Sequence, residues 1–183
     1  MRSASFTVVK CACRIAAILC LGSAALWGAT LARLSMSDMI AQSSAIERAT
    51  VTGSYAAASG PVIYTHYRLQ ISEQFKGPAV AEIVVPGGTA NGVRQFFSGA
   101  PQFQPGDEFV FFLWTNKAGA TTVIGLTQGL FAVTPGGAAD PSLTRAASQE
   151  LMLDSRTGHP VKDQILVMRL SDLRKQIAQG IKQ

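Results

Sequence analysis

The stretch "VIYTHYRLQIS", residues 62 to 72, constrains this chain most. Ile63, Thr65, Tyr67, Leu69 and Ile71 fall on one side of a period of two, and Tyr64, His66, Arg68 and Gln70 on the other. Such alternation predicts a long strand with one face buried and one polar face open. A second stretch adds to this. "PGDEFVFFLWTN" is a turn followed by an apolar run from Phe109 to Trp114, and a strand apolar on both faces belongs in the middle of a sheet. Phe109, Phe111 and Trp114 are therefore expected to be buried.

Other elements follow from punctuation. "AIERATVTGSYAA" is rich in β-branched residues and predicts a strand ending at Ser59, Gly60 and Pro61. Lys76, Gly77 and Pro78 mark a turn in which Lys76 keeps the surface soluble and Phe75 packs beneath. "AEIVVPGG" is a further strand. Residues 86 to 107 hold many glycines and prolines with no sustained period and predict a long loop, which Phe96, Phe97 and Phe103 would fasten to the body. "TTVIGLTQGLFAVT" reads as one or two strands bending at Gly125 and Gly129. A Gly-, Ala- and Ser-rich excursion spans about 135 to 162.

Two helices are predicted. The first starts at Ser35 or Ser37 with Asp38 in its first turn and Met36, Met39 and Ile40 as its apolar face. The second runs over about 170 to 181, with Ser171 as N-cap and Leu173, Ile177 and Ile181 recurring at helical spacing. The fold class is thus α+β, mostly β. A small five-stranded OB-like barrel is the leading architecture and a β-sandwich the alternative.

The first 32 residues have a different character. Arg2, Lys10 and Arg14 precede an apolar run from Ile15 to Trp27, and small residues follow. This order predicts a secretory signal peptide cut after Ala29 or Ala32, leaving a single domain over 33–183. An uncleaved membrane anchor is the alternative, since Ile15 to Ala32 is about long enough to span a bilayer. The chain's formal charge is +5. A cut after Ala32 leaves 13 basic and 11 acidic residues, a net of +2, which disfavours nucleic acid as a partner. Cys11, Cys13 and Cys20 all lie in the leader, so the exported part carries no disulfide or thiol chemistry. The protein is expected in the periplasm or outside the cell.

The phrases Phe75-Lys76-Gly77, Phe103 to Asp107, and Gly125, Gln128, Gly129 and Phe131 carry a resemblance. In this order they look like the pattern of a family of uncharacterised secreted bacterial proteins, over roughly residues 35 to 180. That resemblance implies export and a compact β domain, and no particular chemistry. More distantly, the Phe-Lys-Gly-Pro turn before a strand resembles the netrin-like domain of the tissue inhibitors of metalloproteinases, which is an OB-type barrel. Those inhibitors act through a mature N-terminal Cys-x-Cys. Here Cys11-Ala12-Cys13 precedes the export core and cannot become a mature N-terminus.

No motif points to catalysis. His66 and His159 are the only histidines, and neither has the close-spaced partner of a zinc site. No Gly-x-Ser-x-Gly elbow or Ser-x-x-Lys motif occurs. Asp107 and Glu108 are adjacent and would point to opposite faces of a strand. "PGGTANG" lacks the Lys-Ser/Thr ending of a phosphate loop. The reading is therefore a non-enzymatic binding module with no cofactor and no metal. Tyr64, His66, Arg68 and Gln70 are its candidate ligand-binding stripe, and its partner an envelope or extracellular protein, peptide or glycan. A membrane enters only if the leader stays uncut. A protease-inhibitor-like module using the 86 to 106 loop, and a small hydrolase built on His66, are the alternatives.

Overall fold

The computed structural model describes residues 29–134 and 139–181. The leader up to residue 28, with its three cysteines, lies outside the described residues. The chain runs β1 (Thr30–Arg33), α1 (Met36–Gln42), β2 (Ala45–Ser59), β3 (Val62–Lys76), β4 (Glu82–Pro86), β5 (Gly88–Ala90) and β6 (Val93–Gln95). It continues through β7 (Glu108–Thr115), β8 (Thr121–Val123), β9 (Leu130–Val133), β10 (Ser142–Arg145), β11 (Leu151–Asp154), β12 (Pro160–Val161), β13 (Leu166–Arg169) and α2 (Leu170–Gly180).

The fold is α+β and mostly β. Its main sheet is antiparallel and eight-stranded, in the order β13-β10-β9-β7-β2-β3-β4, with β8 on β7 beside β9. The sheet does not close into a barrel. It curls instead: β2 and β3 pair along almost their whole length, with register shifts at Ile46/Glu47, Arg48/Ala49 and Val51/Gly53. Such irregularities bend a strand pair and increase its twist, and here β4 comes round close to β8. A small sheet, β1-β11-β12, and the β5–β6 hairpin complete the body.

The chemistry of β7 explains its central place. Val110 and Phe112 point to one face and Phe111 and Leu113 to the other, and all four are fully buried. On the first face, Val110 and Phe112 join Phe131, Leu143, Met39, Ile40, Leu170, Leu173 and Ile177, so both helices pack here. On the second, Phe111 and Leu113 meet Tyr67, Leu69, Ile83 and Phe103. Phe103 makes edge-on contacts with Tyr67 and Phe111 and closes that core.

Several expectations need correction. Trp114 is 48 % exposed. It lies near the end of β7, beside Gln42 at the end of α1 and the β8 segment, and is left open to solvent. Phe96 and Phe97 are exposed too, so of these three phenylalanines only Phe103 enters the core. The segment from 86 to 107 is no featureless loop: Asn91 and Gly92 both take positive φ, 52° and 74°, and join β5 to β6 in a two-residue turn. The expected excursion at 135–162 carries β10, β11 and β12.

The helix ends are held by distant side chains as well as local ones. Of the two candidate serines it is Ser35 that caps α1, in a capping box with Asp38. Lys76 does more than solubilise its turn: Nζ donates to the carbonyls of Ile40 (2.6 Å) and Ala41 (3.2 Å), near the C-terminus of α1. Ser171 is not the N-cap of α2, which is Arg169. Its N–H and hydroxyl both donate to the Asp140 carboxylate, at 2.8 and 2.9 Å. These hydrogen bonds, the backbone one foremost, hold the Asp140 carboxyl below its ordinary range.

Candidate functional site

Strand β3 delivers the predicted stripe. Tyr67 and Leu69 turn inward, while Tyr64, His66, Arg68 and Gln70 share the opposite face. The two-residue turn at Gly60–Pro61 pairs Ser59 with Val62 and, counting back, Tyr55 with His66. On the other side of β3, Arg68 lies opposite Glu82 of β4. The sheet thus brings two residues to the stripe that the pattern of one strand does not reveal.

These residues are organised. The Tyr55 and His66 rings stack with centroids 4.6 Å apart and planes 11° from parallel. The His66 Nδ1 lies 2.8 Å from Glu82 Oε1. With a carboxylate oxygen as the acceptor, Nδ1 is the ring nitrogen that donates in this contact. Tyr55 donates its hydroxyl to the same carboxylate at 3.2 Å, and the Arg68 guanidinium sits 5.5 Å from the Tyr55 ring centre, within cation–π range. Desolvation, followed by the charge and hydrogen bonding of Glu82, raises the Tyr55 phenol pKa, with Arg68 acting in the opposite sense. Tyr55 therefore remains a neutral donor at physiological pH.

The cluster stays open to solvent: Tyr55 is 43 % exposed. Tyr64 and Gln70 flank it on the same strand face, opposite Ala57 and Thr50 on β2, and neither makes a side-chain hydrogen bond within the described residues. The stripe is thus brought together in part. His66 and Arg68 belong to the cluster, and Tyr64 and Gln70 stand at its margins.

His66 is not isolated from carboxylates, so a histidine–glutamate pair exists. No Ser, Thr or Cys donor reaches the imidazole within the described residues, so the pair lacks a nucleophile. His159 lies apart, in the β11–β12 connection, where its carbonyl accepts from Asp154 N–H. Asp107 and Glu108 have structural partners: Asp107 accepts from Gln104 N–H at 2.7 Å and Glu108 from Arg48 Nε at 2.7 Å. Among the described residues no three His, Cys, Asp or Glu side chains meet where a metal ion could be held. No described helix is long and apolar enough to cross a membrane.

The phrases that carried the family resemblance have local duties. Gly77 adopts φ 71°, and a Cβ there would collide with the Ser44 carbonyl oxygen, so only glycine fits the turn. Gln128 is fully buried and bridges the N-terminal segment: Nε2 donates to Ala32 O (2.9 Å), and Oε1 accepts from Leu34 N–H (2.8 Å). Phe131 fills the helix-side core. Neither the protein-family models nor the curated proteins contain a match to this chain.

Proposed function

We propose that this protein is an exported, non-enzymatic binding module of the cell envelope or extracellular space. Its contact surface is the outer face of β2, β3 and β4. One observation carries the reading: Tyr55 and His66 are stacked and tied to Glu82, yet the cluster faces solvent. The core does not require this arrangement. Rings and donors already fixed in place lose little freedom when a partner docks, and tyrosine and arginine are the residue types that dominate contact energies. Tyr64, Arg68 and Gln70 supply the surrounding contacts. The partner is an envelope or extracellular protein or peptide, met in the periplasm or outside the cell after removal of the leader.

A pull-down from envelope extract tests this, with the Tyr55→Ala/Arg68→Ala double variant as comparison. The native chain captures a partner that the variant releases. Identical captures would contradict the proposal. The His66–Glu82 pair favours a small hydrolase as second reading, but without a bonded nucleophile it supports orientation of a ligand better than attack on one.

A further inference from the structure

On the opposite side of β3 lies a cavity of about 270 Å³, between that strand, β4, the β5–β6 hairpin and the segment that follows it. We propose that this cavity binds a carboxylated sugar. Arg94 takes the carboxylate, the Tyr67 hydroxyl bonds a ring substituent, and Phe96 offers its face to the sugar ring.

The cavity is a built feature. Gly88 adopts φ 134°, and a Cβ there would lie 2.5 Å from Thr65 Oγ1 and 3.1 Å from Ala56 Cβ, so the hairpin lies directly on β2 and β3. Gln95 locks it: Oε1 accepts from Ile63 N–H (2.7 Å), and Nε2 donates to Pro61 O (2.8 Å). The floor backbone is also committed, with Gly87 N–H donating to Ile63 O and Thr65 Oγ1 to Gly87 O.

What remains open is the recognition chemistry. Tyr67 is 94 % buried, as its 6 % exposure implies, and its ring lies edge-on to Phe103. Its hydroxyl makes no hydrogen bond within the described residues, and it is not among the buried polar atoms sealed without a partner. It lines the cavity and is free to bond a guest. Arg94, exposed at the cavity mouth, is the only charged lining residue and has no ion-pair partner within the described residues, which suits an anionic guest. Phe96 is 75 % exposed at the rim, an aromatic face of the kind on which a sugar ring packs. The volume limits the guest to a small molecule.

Calorimetric titration of the full chain with D-glucuronate, D-glucose and acetate decides the matter. Glucuronate binds saturably, and glucose and acetate each bind at least about tenfold more weakly, as loss of a charged hydrogen bond or of the ring contacts implies. Arg94→Ala removes the advantage of glucuronate over glucose, and Tyr67→Phe weakens both sugars while leaving acetate unchanged. His66→Ala and Arg68→Ala leave glucuronate binding intact, which separates this site from the outer face. No saturable binding of glucuronate, acetate binding as tightly, or an unaffected Arg94→Ala variant would each overturn the proposal.

Discussion

Glu47 sits at zero exposure in β2, opposite Gln74 on one neighbouring strand and Phe111 on the other. Its Oε2 accepts from Val80 N–H at 3.1 Å, and its Oε1 has no partner. Burial pushes the carboxyl above its ordinary value of 4.5, and the single backbone hydrogen bond offsets only part of that. The sign of the effect on stability follows. Below pH 4.5 both folded and unfolded chains hold the proton. As pH rises past that point the unfolded chain releases it first, and stability falls by about 1.4 kcal/mol per pH unit until the folded carboxyl ionises. Glu47→Gln keeps the acceptor for Val80 and removes the charge. At pH 7.5 it should raise stability by about 1–3 kcal/mol, or about 2–4 °C in Tm per kcal/mol for a chain of this size. The gain should vanish near pH 4. Thermal and urea unfolding at both pH values measure it. Equal destabilisation by Glu47→Gln at pH 4 and 7.5 would refute the reasoning, because it would mean that the ionised carboxylate is satisfied.

Four further perturbations test the packing. Phe111→Asp puts a charge into the zero-exposure centre of β7 and should abolish folding by circular dichroism; a well-folded variant would displace β7 from the core. Gln128→Ala frees the Ala32 and Leu34 backbone groups and should cost about 1–3 kcal/mol, with faster hydrogen exchange confined to residues 30–34. Gly77→Ala drives a Cβ into the Ser44 carbonyl and should destabilise by more than the ~1 kcal/mol of an ordinary glycine replacement, read as a lowered urea midpoint. For Asp163, burial raises the carboxyl pKa, but hydrogen bonds from Ser148 and Arg145 outweigh it and leave the pKa below 3.8. Its contribution is therefore present above pH 3.8 and lost as pH falls further, and Asp163→Asn should cost about 3 kcal/mol at neutral pH by stranding the buried Arg145.

The elements most legible in the sequence are those whose pattern a single strand or cap dictates. The alternation of 62–72 gives β3 and both of its faces, the apolar run from Phe109 gives the centre of the sheet, and Ser35 with Asp38 gives the start of α1. What escaped depends on contacts between distant segments. Lys76 reaches the end of α1 and Asp140 the start of α2, and nothing in their neighbourhoods signals those partners. Trp114 looks like its apolar neighbours, and nothing in the run itself marks it as exposed. Two signals were present in the sequence. Asn91-Gly92 is a hairpin turn sequence, and the two-residue turn at Gly60–Pro61 already implies Tyr55 opposite His66. Glu82 had no such signal, because the connection between β3 and β4 is too irregular to fix a register from sequence.

The binding reading rests on the outer face of β2, β3 and β4, and site-specific photo-crosslinking in cells probes that face directly. A photoreactive residue at Arg68 is predicted to yield a discrete crosslinked species, while one at Lys175, whose side chain is 73 % exposed on α2, yields none. No crosslinked species at Arg68, or the same species from both positions, would contradict the account.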